Sequence, residues 1–336
     1  MARMMSRRQL LAAGMTGLAG AALAGCGTSH STALTQATAT AELPMATATP
    51  VVRPVSMVIT GDVMLGRSVN QQMVAAGASG TFPFTRTGDF LRGFDLTVGN
   101  LECVVSKIGS PIPGKPFTFR ADPLGFARLQ GAGYDIVSVA NNHSGDYGPD
   151  AFADMLSHLP QYGITPIGGG LNHDAAHTPV VVERFGTRIG FVAACDIDPP
   201  TFAATATQPG HAWLDDAGLR RDTPIARSQS DFLIVFTHWG IEYHLNYNAL
   251  QQELAHLAID LGADLVVGAH PHDIEPNEIY HGKPIIYSLG NFVFDEMYDS
   301  ESHGNILTLH VHGNTLLDWK LAPITIDTTT GAPYLA

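Results

Sequence analysis

One design recurs along the chain and limits what it can fold into. A short apolar, β-branched run stops abruptly at Gly, Asp, Asn or His. "VSMVIT" gives way to "GDVMLGR", "DLTV" to "GNLE", "YDIVSVA" to "NNHSGDYG", "DFLIVF" to "THWGIEYH", "ADLVVGA" to "HPHDIEP" and "KPIIYSLG" to "NFVFDE". Runs that are apolar at successive positions suit strands covered on both faces. Segments of helical period lie between them. "NALQQELAHLAIDLGA" places Leu250, Leu254, Leu257, Ala258 and Leu261 on one face, and "DAFADMLSHLPQYG" does the same with Phe152, Met155, Leu156 and Leu159. Asp150 is expected to cap the start of the latter, and Pro160 and Gly163 to punctuate its end. Strands alternating with helices predict an α/β domain. Hairpins are expected around Phe185–Thr187 and His312–Asn314, so the sheets should be mixed, with antiparallel pairs toward the C-terminus.

In α/β sheets ligands gather beyond the carboxyl ends of the strands, and the polar residues of this chain fall there. Asp62, Glu102, Asn142, His143, His238, His270 and His272 offer carboxylate, amide and imidazole donors, a set suited to a borderline divalent ion such as Mn, Zn or Fe. The set lacks a thiolate, which argues against a structural zinc knot, and it is too rich in nitrogen for calcium. His270 and His272 flank Pro271, so each could serve its own ion. Two ions roughly 3.5–4 Å apart can activate a water and clamp the oxygens of a displacement at phosphorus. Each residue alone has a plainer explanation. An Asp after a strand is commonly a turn or cap, a lone His a satisfied core residue, and "NNH" a turn. The set as a whole favours a metal site.

The N-terminus "MARMMSRRQLLAAGMTGLAGAALAGCG" has a basic start, the pair Arg7-Arg8, a small-residue apolar stretch and then "LAGC". Residues 1–26 are read as a twin-arginine-type export signal ending in a lipobox, with Cys26 lipidated. The apolar stretch is short for a spanning helix. The Ala-, Thr- and Pro-rich residues 27–54 read as a flexible linker, and residues 55–336 as one folded domain. The expected location is the extracytoplasmic face of the cell membrane, held by lipid. The full chain carries a net charge of −13, and removing the signal takes three arginines and no acid, giving −16. That balance argues against nucleic acid or an anionic membrane surface as the main partner. Cys103 and Cys195 sit in apolar runs and are expected to be buried thiols, although export would permit a disulfide.

"GDVMLGR", "NLE", "ANNHSGDYG", "HWGIEY", "GAHPHDIEP" and "YSLGNFVFD" closely resemble the motifs of CapA-type capsule or poly-γ-glutamate biosynthesis proteins, a family similar to the calcineurin-like metallophosphoesterases. The resemblance runs from Val55 to Asp295. It implies a two-sheet α/β sandwich with flanking helices and a centre of one or two divalent ions at the strand ends. It further implies Asp62 as the first metal aspartate, Glu102 as a bridging carboxylate and Asn142, His238 and His270 as ligands of one ion. His272 would be a ligand of the other, His143 the general acid toward the leaving group, and Asp146 its orienting partner. One departure stands out. The superfamily places a histidine where this chain has Met64, and a thioether is a poor ligand for such ions.

Arg67, Lys115 and Arg120 are candidates to hold a phosphate or carboxylate of the substrate, and are equally ordinary loop charges. Glu242 reads as a supporting carboxylate or base, or as a surface residue. Asn291 and Asp295 lie near the site by resemblance alone. Two functions fit. One is a metal-dependent hydrolase acting outside the membrane on an anionic polymer, its precursor or an envelope phosphoester. The other is a non-catalytic metal-containing accessory of polymer export or tethering, working beside membrane synthase components.

Overall fold

The computed structural model describes residues 52–197, 202–295 and 302–336. The expected export signal, Cys26 and nearly all of the expected linker lie outside these residues.

Side-chain alternation along the strands explains the continuous apolar runs. In Phe232–His238, the side chains of Phe232, Ile234 and Phe236 enter a layer shared with Met57, Ile59, Phe191 and Val267. Leu233 and Val235 join a different layer with Leu254, Ala258 and Trp239. Val55–Val63 behaves likewise: Met57 and Ile59 face the other sheet, while Val58 faces helices. Successive strand residues point to opposite faces, so a strand apolar at every position needs cover on both sides. The result is a four-layer arrangement of helices, sheet, sheet and helices.

The first sheet has the order Pro333–Leu335, Thr315–Ile326, His303–His312, Val55–Val63, Leu96–Leu101, Ile136–Ser138, Thr165–Ile167, with Asn291–Val293 also paired to Val55–Val63. Its half from Val55 onward is parallel and its C-terminal half antiparallel. The second sheet runs Asn277–Tyr280, Lys283–Ile286, Leu265–Ala269, Phe232–His238, Thr187–Cys195, Val180–Arg184, parallel in its centre and antiparallel at both edges. Both expected hairpins form. Helices Arg67–Ala75, Leu124–Ala132 and Pro149–His158 cover the first sheet, and Asp216–Gln229 and Ala249–Asp260 the second. Among the described residues no helix is long and apolar enough to cross a membrane.

Two local expectations are corrected. Leu250 is exposed, and the buried face of its helix holds Gln251, Leu254, Ala255, Ala258 and Ile259. Gln251 turns inward because it closes a capping box with Asn248, which rotates the apolar stripe by one position. Asp150 does not cap its helix. Gly148 occupies that place with φ 86°, Pro149 follows as first helical residue, and Asp150 lies in the first turn. Cys103 and Cys195 are free and buried, as expected.

Candidate metal centre

The parallel strands of both sheets deliver their carboxyl ends to one rim. Asp62 lies within the last turn of pleat of Val55–Val63, one residue earlier than the strand's end, and pairs in register with Asn100 on one side and Asn291 on the other. This close fit needs Gly61. A Cβ there would stand 1.8 Å from the Gly290 carbonyl oxygen, whose bond from Asp62 N–H is 3.2 Å long. His238 closes Phe232–His238, and His270 and His272 follow Leu265–Ala269. These two histidines have φ of 102° and 63°. Side-chain-bearing residues rarely occupy this region, and such strain is tolerated where the surroundings enforce it. Across the turn through Pro271 the two ring centroids stand 5.9 Å apart with their planes inclined by 50°.

His238 Nε2 lies 2.9 Å from Asn142 Oδ1 and 3.1 Å from His270 Nδ1. It is also 3.9 Å from Glu102 Oε1, which in turn is 4.0 Å from His272 Nε2. The other nitrogen of His272 stands 3.0 Å from Asn291 Oδ1 and 3.5 Å from Asp62 Oδ2. Glu102, His270 and His272 bring one ligand atom each within 4.8 Å of one another. Asp62 is held from both sheets: Asn100 Nδ2 donates to Oδ1 at 2.8 Å, and His270 N–H to Oδ2 at 3.2 Å. Every one of these side chains except Asn142 is buried.

Glu102 gives the test of fit. Neither of its buried oxygens has a hydrogen-bond donor among the described residues. Burial, and then the charge of Asp62, push its carboxyl well above the usual range. A buried carboxylate beside another and without a donor is costly unless a cation is bound. Burial and neighbouring imidazoles hold His238 and His270 well below their ordinary value, so both are neutral ligands in waiting. Burial lowers His272, but Asp62, Glu242 and Asn291 together outweigh it, and the imidazole is raised. Oxygen and neutral imidazole donors of this kind suit a borderline divalent ion. Met64 contributes nothing to the cluster. Its sulfur accepts Gly66 N–H at 3.0 Å, within the apolar layer on the helix side.

His143 stands beside Asn142 with its ring stacked on Phe119 at 3.9 Å. Its Nδ1 donates to Asp146 Oδ2 at 2.7 Å, and Phe119 N–H donates to the same oxygen at 2.6 Å. Lys115 Nζ pairs with Asp146 Oδ1 and donates to the Asn142 carbonyl at 2.5 Å. Burial pushes the His143 imidazole down to about 4, against the pull of Asp146. Lys115 therefore ties down the loop that carries Asn142, His143 and Asp146.

The other candidates separate. Arg67 Nε donates to Asp295 Oδ1 at 2.7 Å, and its guanidinium lies over Phe119 and Phe294. Asp295 Oδ2 accepts from Ser68 N–H at 2.7 Å, so Asp295 caps Arg67–Ala75 from far along the sequence. Arg120 lies over the Tyr147 ring. Glu242 is exposed at the edge of a cleft of about 590 Å³ that Lys115 and Asn142 also line. Sequence reasoning passed over Asn100, whose amide nitrogen links Asp62 to His238 Nδ1 (3.2 Å). Its signal was the "GN" step of "GNLE", two residues before Glu102, at a strand end like the others.

Two mixed sheets between helical layers, with these donors at the rim, define a metallophosphoesterase-like fold. Solved structures of that kind include a phosphatase from Mycoplasma pneumoniae (TM-score 0.52, 12% identity, 83% of this chain and 96% of that one). A putative 5'-nucleotidase from Staphylococcus aureus is similar too (TM-score 0.51, 15% identity, 82% and 55%). At such identities the likeness speaks for the fold alone. The family model "Bacterial capsule synthesis protein PGA_cap" matches residues 56–296, and the chain belongs to that family. It is 30% identical over 275 residues to the PGA biosynthesis protein CapA of Bacillus subtilis (strain 168), covering 81% of this chain and 72% of that protein. The capsule biosynthesis protein CapA of Bacillus anthracis is 27% identical, covering 83% and 69%.

Proposed function

We propose that the chain is a metal-dependent, phosphoesterase-like hydrolase serving the synthesis of an anionic envelope polymer such as poly-γ-glutamate. The observation that carries this is Glu102: a buried carboxylate without donors, between His238 Nε2 at 3.9 Å and His272 Nε2 at 4.0 Å. Asn142, His238 and His270 would hold one ion. Asp62 and His272 would hold a second, more weakly, because Met64 stands where a further imidazole is expected. Glu102 would serve both. Bound divalent ions would supply Lewis acidity toward a phosphoryl or carbonyl oxygen.

The chain's own residues supply the rest. Asp146 fixes the His143 ring through Nδ1, which leaves Nε2 as the atom that exchanges a proton with a leaving group. Phe119 keeps the ring in place from its face. Lys115 holds the Asn142 carbonyl and Asp146 together, so that metal donor and proton donor share one rigid loop. At neutral pH the His143 ring is neutral in the free site, and the negative charge of an arriving substrate favours its protonation. The protein would work as a lipid-anchored, exported enzyme beside membrane polymer synthase or export components.

Met64 favours a second reading, a non-catalytic metal-containing accessory of polymer export or tethering. Metal analysis with phosphoesterase and γ-glutamyl hydrolase assays separates the two. On the first reading, His143→Ala keeps its metal and loses roughly 100-fold or more in kcat. Activity that survives unchanged in that variant removes the catalytic role, and wild-type protein that takes up no divalent ion removes the metal centre.

A further inference from the structure

Next to the metal centre lies the cleft of about 590 Å³, lined by Ile112, Pro113, Lys115, Asn142, Phe202 and His211 among others. Its wall is locked to the catalytic loop. Phe202 packs so closely on Gly145 that a Cβ there would stand 2.2 Å from the ring. Only glycine lets the wall approach the segment that carries Asn142, His143 and Asp146.

His211 is the unusual member of this wall. It is 2% exposed, belongs to the short strand Gly210–His211, and lies between the rings of Phe202 and Trp213 at 6.2 and 6.3 Å. Its Nδ1 donates to the Ala212 carbonyl at 3.1 Å. Burial pushes its imidazole down to about 4, so the ring is neutral and Nε2 carries a lone pair. No group among the described residues bonds that nitrogen. That nitrogen is not sealed from solvent: it can be reached from the cleft that His211 lines. Nδ1 is committed to the backbone, which leaves Nε2 for the cleft.

We infer that His211 is a substrate-positioning residue: its Nε2 accepts a hydrogen bond from an N–H or O–H of the part of the substrate that lies beyond the reacting centre and fills the cleft. The inference rests on reading the adjacent cluster as the metal centre. The apolar walls suit the aliphatic body of that group, and the one remaining N–H of Lys115 can meet an anionic or carbonyl oxygen on it. A site that offers a fixed buried acceptor discriminates strongly against an analogue lacking the donor.

The experiment compares wild type, His211→Phe and His211→Gln, each loaded with manganese or zinc and assayed for metal content. Binding is measured by calorimetry with a γ-linked glutamate pentamer, its N-methylated counterpart and glucose 1-phosphate. Wild type is expected to bind the pentamer or glucose 1-phosphate. His211→Phe should weaken that binding about tenfold, and His211→Gln, which keeps an acceptor, should restore it to within about threefold, with metal content unchanged throughout. If the donor is an amide, N-methylation should weaken binding to wild type by a similar factor; if it is a hydroxyl, only glucose 1-phosphate should respond to His211. Equal binding by His211→Phe overturns the proposal, as does metal-loaded wild type that binds neither compound. Loss of metal together with affinity also overturns it, by making His211 a support of the metal centre. Wild type that takes up no metal overturns the underlying reading, a result distinct from the others.

Discussion

His238, at the end of one strand, and His270, just past the end of its neighbour, place Nε2 and Nδ1 3.1 Å apart, with Asn142 Oδ1 2.9 Å from the former. Burial keeps both rings neutral. Three potential donor atoms this close, beside the unpartnered Glu102 carboxylate, are an arrangement that a divalent ion can occupy. His238→Ala or His270→Ala should therefore lower divalent-ion affinity by more than about 100-fold, beyond the 10–100-fold typical of groups that only orient ligands. Asn100→Ala, which removes such a group, should fall within that range. Equilibrium dialysis with elemental analysis measures both.

Glu102→Gln should have opposite effects in the two states of the protein. Metal-free protein gains, because a buried carboxylate next to Asp62 is removed. Metal-loaded protein loses its ion and the stabilisation that comes with it. The sign with pH follows from the raised carboxyl. The unfolded chain gives up this proton at the ordinary value and the folded chain only well above it, so wild-type stability is lost as pH rises across that interval. The advantage of the variant without metal should grow with pH, at roughly 2–4 °C in Tm per kcal/mol. Thermal scans with and without chelator check this.

Glu275 provides a pH effect away from the ions. One of its oxygens accepts from Gln251 Nε2 at 2.8 Å, and the other has no donor among the described residues. Burial pushes its carboxyl up to about 7. Between the ordinary carboxylate value and about 7 the folded state holds a proton that the unfolded state has lost, so stability falls as pH rises through this window. His143 and His211, lowered to about 4, act in the opposite sense in an overlapping window. The difference between wild type and Glu275→Gln isolates the carboxyl: the variant should gain relative to wild type from pH 5 to pH 8 in urea titrations, by an amount set by that one group.

Asp295→Ala should destabilise by about 2–3 kcal/mol, since it removes both a helix cap and a charged bond to Arg67. Metal content should not change. A shift of the urea midpoint at constant slope is the expected signature.

The rim of polar strand ends was legible because each element announces itself locally, by an apolar run that stops at Asp, Asn or His. Asp62, Glu102, Asn142, His238, His270 and His272 do converge. The partnerships behind them were not legible. The link between Asp295 and Arg67 and the packing of Phe202 on Gly145 depend on pairs distant in sequence, which no local period encodes. Lys115 shows the same limit. Its charge suggested a substrate contact; its bonds to Asp146 and the Asn142 carbonyl, which the sequence did not announce, are added to that expectation. Leu250 failed for a nearer reason, a capping box that turned Gln251 inward.

The central claim is that Glu102 joins two sets of ligands into one metal centre. Crystals of manganese-loaded protein, examined by anomalous scattering, test it most directly. The account predicts a peak within bonding distance of Asn142, His238 and His270, shared with Glu102, and a weaker one near Asp62 and His272. Metal-loaded crystals with Glu102 bound to no ion would contradict it.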